Sequence, residues 1–281
     1  MSGTLYLVST PIGNLEDITI RALKVLSEVD LVACEDTRRT IKLLNHYDIK
    51  TTLISYHQHN EISRSKELIN KIREGSSIAL VSDAGTPSIS DPGLVIVQEA
   101  ISNSIEITSI PGPSALISAL IMSGLNTKEF SFFGFLPEKN KDREAKLDYI
   151  KNLTETLIFY ISPHSYKKDI SDLMNFFGIN RNVAIAREIT KIHETVLRGK
   201  LGDSNILEYN PRGEICIVVE GADSFKEHKS NPLCDLTLSE HLDFYMQQGL
   251  KRNDGMREVA KDRDITKNEV YNLILKEKKG C

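Results

Sequence analysis

Short apolar runs alternate with longer stretches of helical periodicity along the first half of the chain. The runs are rich in β-branched residues, whereas the stretches between them place apolar residues three and four positions apart. The pattern predicts strands at 5–9, 31–34, 52–56, 78–82 and 105–110, and helices at 17–29, 38–47, 61–74, 94–102 and 114–123. Such alternation is typical of a mostly parallel sheet covered by helices.

The alternation becomes looser beyond Gly124, a glycine that suits the left-handed cap of the apolar helix before it. Strand-like runs there follow one another more directly, and this favours a mixed sheet in an α+β domain. These strands are predicted at 130–135, 156–160, 183–186, 193–197 and 215–220, and helices at 139–152 and 167–177. We therefore predict an N-terminal α/β domain over 1–124 and a second domain over 125–225.

After a polar linker, the chain becomes helical again near its C-terminus. Thr237 with Glu240, and Thr266 with Glu269, fit the capping box in which two side chains satisfy free amides at a helix start. The apolar spacing between and after these boxes is amphipathic. It predicts a small helical unit that resembles a helix-turn-helix, over 236–281.

The positive charge of the chain is concentrated in this C-terminal segment. The whole chain has 35 Lys and Arg against 39 Asp and Glu. This balance excludes a protein whose whole surface is basic and binds nucleic acid or membrane through that charge. From Leu250 onward nine basic residues stand against six acidic ones. A basic face carrying Lys261, Arg263 and Lys267 suits a phosphate backbone. A solvated helical pair that packs on the rest of the protein fits the same pattern equally well.

The chain lacks the patterns of a secreted, metal-binding or membrane protein. Its cysteines form no CxxC pair and are interpreted as idle thiols in a reducing compartment. They are Cys34, Cys216, Cys234 and Cys281. No basic, apolar leader opens the chain, and no apolar run approaches about 18 residues. We expect a cytoplasmic protein without a metal, since nothing at a strong spacing completes a ligand set around His57 and His59.

Candidate chemistry lies in the loops that follow the strands, the edge at which parallel sheets bind ligands. The loop 10–14 combines a rigid proline with a flexible glycine. The long connection 82–93 contains Asp91, which suits the cap of the next helix, and Asp83, which has no such role. The loop 111–115 opens a helix whose first amides suit a carboxylate or phosphate. Each loop is also compatible with an ordinary turn.

Two polar loops add charge at the same edge. Residues 35–39 supply two acids and two arginines, and residues 56–61 supply two histidines and a glutamate.

The absence of three sequence motifs narrows the possible chemistry further. There is no P-loop, no GxSxG elbow and no GxGxxG fingerprint, which disfavours phosphoryl transfer, serine hydrolysis and ordinary nicotinamide chemistry.

Seven motifs in these loops and in the second domain occur in one order. They are TPIGNLEDIT (10–19), EDTR (35–38), HNE (59–61), SDAGTPSISDPG (82–93), PGPSA (111–115), GFLP (134–137) and REITK (187–191). In this respect the chain, over residues 3–221, resembles the tetrapyrrole methylase superfamily and, within it, the 2'-O-ribose methyltransferases of 16S ribosomal RNA.

The resemblance implies a two-domain tetrapyrrole-methylase-like fold that holds S-adenosylmethionine in the cleft between domains, in a homodimer. It implies methyl transfer to a cytidine ribose in the decoding region of 16S rRNA in the 30S subunit. The implied cofactor contacts are Pro11, Asp83, Ala84, Gly85, Thr86, Ser114, Ala115, Tyr160, Ala186 and Gly221.

A ribose hydroxyl is a poor nucleophile, so a base, or a cation that stabilises the developing alkoxide, should assist. Candidates by residue type are Lys191, Glu188, Asp36 and His57. Arginine and histidine suit RNA contacts, and the candidates are Arg38, His57 and Arg187. For these charged residues a structural ion pair is an equally good interpretation.

The chain departs from the family pattern at Ile161 and Ser165, where relatives carry glutamate and arginine. If both members of an ion pair are lost together, the stability of the fold can stay unchanged. The alternative interpretation is an altered contact with RNA. Two other functions stay open: methylation of a tetrapyrrole or another small molecule, and a non-catalytic RNA-binding role in ribosome assembly. The EDTR motif and the basic C-terminal unit favour an RNA substrate.

Overall fold

A computed structural model describes residues 3–222, 233, 236–263 and 265–277. The predictions for Cys234, Cys281 and most of the linker fall outside these residues. The chain divides into two compact units, Met1–Lys151 with Glu155–Glu220, and Asn152–Thr154 with Gly221–Cys281. The finer boundary near Gly124 lies inside the first unit and stays a prediction.

The first unit contains a five-stranded parallel sheet in the order β3-β2-β4-β1-β5. Its strands are β1 (Thr4–Val8), β2 (Leu31–Cys34), β3 (Thr52–Ser55), β4 (Ile78–Val81) and β5 (Glu106–Ile110). The helices that follow them are α1 (Ile20–Glu28), α2 (Thr37–His46), α3 (Glu61–Arg73), α4 (Leu94–Ser102) and α5 (Ala115–Ser123). The predicted parallel α/β architecture is confirmed, and the loops after all five strands lie at one edge of the sheet.

Helices cover both faces of this sheet. On one face Leu26 of α1 and Leu44 of α2 belong to one buried cluster. On the other face Leu68 of α3 packs with Leu5 and Ile78 in a second cluster. Burying each such side chain stabilises the fold by about 1.5–3 kcal/mol. With both faces covered, a ligand can reach this sheet only at the strand ends.

A second sheet, also in the first unit, has the order β6-β7-β10-β8-β9. Its strands are β6 (Phe130–Phe135), β7 (Thr156–Ile161), β8 (Asn182–Arg187), β9 (Thr195–Lys200) and β10 (Ile215–Val219). Only β6 and β7 pair in parallel, so the predicted mixed sheet is confirmed. The accompanying helices are α6 (Asn140–Ile150), α7 (Tyr166–Phe177) and the one-turn α8 (Ser204–Leu207), which the sequence pattern did not predict.

The helix α5 joins the two sheets structurally. It follows the last strand of the parallel sheet, and its residues Leu116 and Leu120 pack against Ile158, Ala184 and Val218 of the mixed sheet. Because α5 is apolar on most of its sides, it can be buried against a second sheet as well as connect to the first. The start of α5 therefore lies where residues from both sheets meet.

The second unit consists of α9 (Leu238–Gln247), α10 (Arg252–Asp262) and α11 (Lys267–Glu277). Both predicted capping boxes form, with Thr237 and Thr266 hydroxyls accepting from the amides of Glu240 and Glu269. The carboxylates of those glutamates accept from the threonine amides in return. In the parts of the chain described above, no helix combines the length and the apolar character needed to cross a membrane.

A buried histidine of α9, His241, is hydrogen-bonded to the end of α10. The Nδ1 atom of His241 accepts a hydrogen bond from Arg263 Nε at 3.1 Å, and Nε2 lies 3.1 Å from an Asp262 carboxylate oxygen. Because arginine can only donate, the imidazole proton must be on Nε2 and the ring is neutral. Arg263 also donates to the carbonyls of Leu233, at 3.2 Å, and Leu236. The sequence placed the Arg263 guanidinium on a basic outer face, whereas in the structure it donates hydrogen bonds within the unit.

We expect acid to destabilise this unit. Burial lowers the pKa of His241 below its ordinary value, and the hydrogen bond to Asp262 offsets only part of the effect. The unfolded chain then binds a proton more readily than the folded unit, so this stability is fully present above about pH 6.5 and is lost as the pH falls below it. Amide exchange in α9 to α11, corrected for the intrinsic rate, should show weaker protection at pH 5.5 than at pH 7.5.

The variant His241→Gln provides the matched control. A glutamine amide can donate to Asp262 and accept from Arg263 but does not titrate, so the pH dependence should disappear. Equal protection of the unmodified protein at both pH values would contradict the prediction.

Candidate functional site

A cavity of about 380 Å³ opens in the first unit, a volume ordinary for a small-molecule site. The loops of the parallel sheet contribute Ile12, Ala84, Gly85, Thr86, Ile89, Ser90, Asp91, Ser114 and Ala115 to its lining. The mixed sheet and its loops contribute Phe135, Tyr160, Ile161, Ser162, Pro163, Ala186, Ile189, Gly213, Glu214, Ile215 and Cys216. The cavity thus lies at the edge predicted to bind ligands, and residues of both sheets form its walls.

Hydrogen bonds join the loops that follow β1, β4 and β5. The backbones of Thr10 and Gly85 exchange two hydrogen bonds, of 2.9 and 3.0 Å. Ser9 Oγ lies 3.0 Å from Thr86 Oγ1, and Thr86 donates to the Pro113 carbonyl at 3.3 Å. Gly85 has a φ of 80°, a conformation that favours glycine. These three loops therefore form one connected wall of the cavity.

The prediction that Asp91 caps the helix α4 is wrong. The helix begins at Leu94, and its N-cap is Gly93 with a φ of 149°. Two residues nearby, Ser88 and Ser90, also have positive φ angles, of 68° and 62°. Non-glycine residues in this region cost about 1–3 kcal/mol each unless their surroundings enforce them. The turns made by these serines separate Asp91 from the helix start and leave it in the wall of the cavity.

The electrostatics around Asp91 are unusual for a carboxyl group. Burial, and then the negative charges of Glu35 and Asp83, raise its pKa to about 6. Burial also raises the pKa of Tyr160, and that of the Cys216 thiol to about 12, so both stay protonated at neutral pH. The cavity wall therefore contains two neutral titratable groups and one carboxylate that readily takes up a proton.

Of the ten predicted cofactor residues, seven line the cavity: Ala84, Gly85, Thr86, Ser114, Ala115, Tyr160 and Ala186. Pro11 does not, although the adjacent Ile12 does. Asp83 instead accepts a hydrogen bond from the Asp36 amide at 3.0 Å and lies 3.3 Å from an Arg39 guanidinium nitrogen. Gly221 belongs to the second compact unit and is outside the lining. The cofactor role of all ten residues stays a prediction.

Two of the predicted catalytic residues, Lys191 and Glu188, are outside the cavity lining but form an ion-pair network with Glu214, which belongs to it. Lys191 Nζ donates to Glu188 at 2.8 Å and to Glu214 at 3.1 Å, and Glu188 also accepts from the Glu214 amide at 2.9 Å. Although burial opposes it, hydrogen bonding to both carboxylates raises the pKa of Lys191. Lys191 is therefore a cation at neutral pH, suited to stabilising negative charge and unsuited to removing a proton.

The third predicted catalytic residue, Asp36, is the N-cap of α2 and accepts from the Arg38 amide at 2.8 Å. The Arg38 guanidinium bonds both of its oxygens, at 3.1 and 2.9 Å. Hydrogen bonds from Arg38 lower the pKa of Asp36 to about 2. A carboxylate held so firmly in its ionised form is a poor proton acceptor.

The predicted RNA contacts differ in their surroundings. The Arg38 side chain is 87% exposed even with its partner. Arg187 donates to the carbonyls of Arg212 and His193, at 3.2 and 3.1 Å. The ring centroids of His57 and His59 are 5.9 Å apart. Among the described residues no group of three or more His, Cys, Asp or Glu side chains is arranged to hold a metal ion.

The two positions predicted to depart from the family pattern, Ile161 and Ser165, lie in different surroundings. Ile161 is buried and lines the cavity. Ser165 precedes α7, and its hydroxyl donates to Asp169 at 2.6 Å. The other oxygen of Asp169 accepts a hydrogen bond from Arg143 of α6. An arginine from a neighbouring helix therefore neutralises this aspartate.

Sequence reasoning missed the part of the cavity formed by β10 and the residues before it. Gly213, Glu214 and Cys216 carry no motif, and their position depends on β10 pairing between β7 and β8. Phe135 and Ile189, by contrast, belong to the GFLP and REITK motifs, which marked this wall without showing which residues face the cavity.

The fold is shared with known methyltransferases. Residues 4–204 match the family of tetrapyrrole (corrin/porphyrin) methylases. A crystal structure of uroporphyrin-III C-methyltransferase from Thermus thermophilus, complexed with S-adenosylhomocysteine, aligns with a TM-score of 0.57 at 16% identity. The alignment covers 78% of this chain and 98% of that chain. The architecture is therefore the tetrapyrrole methylase fold.

Two relatives narrow the family further. "Ribosomal RNA small subunit methyltransferase I" from Halalkalibacterium halodurans is 46% identical over 98% of this chain and 96% of its own length. The protein of the same name from Synechocystis sp. is 44% identical over 97% and 98%. The chain belongs to the ribosomal RNA small subunit methyltransferase I family, within the tetrapyrrole methylases. The resemblance to this family and to the tetrapyrrole methylase superfamily, inferred from the seven motifs, is confirmed.

Proposed function

We propose that this protein transfers a methyl group from S-adenosylmethionine to the 2'-hydroxyl of a cytidine ribose in the decoding region of 16S ribosomal RNA. The observation that carries the proposal is the cavity, which brings together seven predicted cofactor residues from four separate segments. The names of the relatives support an RNA substrate in the small ribosomal subunit.

The cavity fits S-adenosylmethionine in the chemistry of its walls. Ala84, Ala186 and Ile215 provide apolar surface for a flat adenine ring. The helix α5 begins at Ala115, and the side chain of its N-cap, Ser114, caps none of the described amides. The first amides of α5 and the positive end of its dipole are therefore available to a carboxylate such as that of the methionine part.

When bound, S-adenosylmethionine supplies a methyl group bonded to a positively charged sulfur. The carbon of this methyl group is open to in-line attack by an oxygen nucleophile. The task of the chain is to hold the ribose hydroxyl at this carbon, and positioning of this kind provides much of the rate. In this proposal Lys191, which pairs with Glu188 and with the cavity-lining Glu214, stabilises negative charge on the hydroxyl oxygen. In this proposal Arg38, with its exposed guanidinium, contacts an RNA phosphate.

The substrate and assembly rest on the family resemblance. It implies that the acceptor is 16S rRNA within the 30S subunit and that the enzyme is a homodimer. Light scattering on the purified protein tests the dimer independently of activity.

The decisive experiment is methyl transfer from labelled S-adenosylmethionine to 30S subunits that lack the modification. The RNA is digested and the product nucleoside is identified by mass spectrometry. We expect 2'-O-methylcytidine, with no incorporation into subunits that are already modified. A base-methylated nucleoside contradicts the proposed reaction, and cofactor binding without any RNA product favours a small-molecule acceptor or a non-catalytic role.

A further inference from the structure

One carboxylate in the cavity wall is chemically distinct from the other titratable groups there. The titratable side chains that line the cavity are Asp91, Tyr160, Glu214 and Cys216. Tyr160 and Cys216 are neutral at pH 7 because burial raises their pKa values. Glu214 pairs with Lys191. Of these four groups, Asp91 alone is suited to accept a proton from a bound molecule.

The backbone holds Asp91 in place from both sides. Ser88, Ser90 and Gly93 all have positive φ angles, so the segment turns sharply before and after the aspartate. A Cβ atom at Gly93 would lie 2.1 Å from Ser88 Oγ, which shows how closely the two turns approach each other. A Cβ atom at Gly134 of β6 would lie 3.0 Å from Ser90 Oγ, so the mixed sheet supports the segment as well. Strain of this kind persists where surrounding structure enforces it, and it is concentrated at functional sites.

The groups facing Asp91 favour proton uptake. Glu35 and Asp83 carry negative charge and raise its pKa, and the Ser82 hydroxyl acts in the opposite direction. Tyr160 faces it as a neutral hydroxyl. None of the described groups that shift its pKa is a cation; Arg39, the nearby arginine, pairs with Asp83. With a pKa of about 6, Asp91 is mostly ionised at pH 7.5 and a stronger base than an ordinary aspartate.

We propose that the Asp91 carboxylate is the general base for the methyl transfer, an inference that rests on the proposed function. The ribose oxygen forms a bond to the methyl carbon, and the carbon–sulfur bond breaks with its electron pair remaining on sulfur. The hydroxyl proton passes to a carboxylate oxygen of Asp91. The resulting carboxylic acid returns the proton to water before the next turnover. Lys191 stabilises charge and does not remove the proton.

The central variant is Asp91→Asn, which keeps the shape and removes the basic oxygen. It should lower kcat for 30S methylation by about 10²- to 10³-fold, while the Kd for S-adenosylhomocysteine stays within about twofold of the unmodified protein. Asp91→Glu should restore part of the rate because it restores the carboxylate. Asp142→Asn, the same change at an exposed position on α6, should leave kcat unchanged.

The pH dependence gives a second readout. Activity of the unmodified protein should rise with pH and level off above about pH 6. This rising limb of the pH–activity profile should be absent from Asp91→Asn. Glu35→Gln removes one of the charges that raise the pKa, so the limb should move to lower pH. Carbon-13 NMR of labelled aspartate carboxyl groups follows the same titration without turnover. A resonance with a midpoint near pH 6 should be missing in Asp91→Asn and shifted to lower pH in Glu35→Gln.

The outcomes separate this inference from the proposed function. If the unmodified protein makes 2'-O-methylcytidine and Asp91→Asn retains more than about a tenth of its kcat, Asp91 is not the base. A large loss of S-adenosylhomocysteine affinity in Asp91→Asn also overturns the inference, because it makes Asp91 a cofactor ligand. If the unmodified protein makes no ribose-methylated product, the proposed function fails and the base assignment fails with it.

Discussion

Replacing Arg143 by methionine should destabilise the first unit by about 3–5 kcal/mol. Arg143 is only 5% exposed, and it donates to Asp169 and, at 2.5 Å, to Asp172 of the neighbouring helix. It also donates to the Pro137 carbonyl at 3.4 Å. Without the guanidinium, Asp169, itself 4% exposed, becomes a buried carboxylate without its cation. Methionine fills much of the volume, so the loss measures the charge and the hydrogen bonds.

Urea unfolding of the full-length protein measures this effect. Lys141→Met removes an exposed cation from the same helix and should change stability by less than about 0.5 kcal/mol. Adding Asp169→Asn and Asp172→Asn to Arg143→Met should recover part of the loss, because no buried charge is then left unpaired. A loss below about 1 kcal/mol in Arg143→Met would show that this pairing does not support the fold.

Replacing Ala115 by phenylalanine should weaken cofactor binding by about 100-fold or more, equivalent to about 3 kcal/mol. Ala115 is half-buried at the first position of α5 and lines the cavity. A phenyl ring there would occupy the space next to the first amides of the helix, where the proposed function places the cofactor carboxylate. Since one side of the position is open, the fold should tolerate the substitution.

Calorimetric titration with S-adenosylhomocysteine tests this prediction. Ile121→Phe, an exposed position on the same helix, adds a ring of the same kind outside the cavity and should leave the affinity unchanged. Unfolding midpoints should be similar for the two variants. Unaltered affinity in Ala115→Phe would place the cofactor elsewhere.

Local patterns predicted most of the fold because each element carries its own signal. The strands β1 to β5 are short apolar runs bounded by turn residues, and the helices between them have one apolar side that packs on the sheet. The capping boxes at Thr237 and Thr266 depend on side chains only three residues apart. Elements of this kind need no information from distant parts of the chain.

The cavity could be predicted only in part because its walls depend on distant residues. The loops after β1, β4 and β5 could be located because parallel strands bring them to one edge. The aspartate–proline pair at 91–92 suits a helix cap on local grounds, yet Gly93 is the N-cap and the helix begins at Leu94, where the apolar pattern predicted it. Residue type made Lys191 a candidate base or stabilising cation. Its hydrogen bonds to Glu188 and to Glu214, the latter 23 positions away, raise its pKa and keep it positively charged.

The position of β10 has a consequence for synthesis of the protein. This strand is the last of the mixed sheet in chain order, yet it lies between β7 and β8, and the residues just before it and at its start line the cavity. While the chain emerges from the ribosome, β7 and β8 have no common neighbour until residue 219 is available. The pairing that completes the sheet is non-local and correspondingly slow. The wall of the cavity is therefore complete only when β10 has paired with β7 and β8, and a nascent chain that stops before β10 lacks that part of the wall.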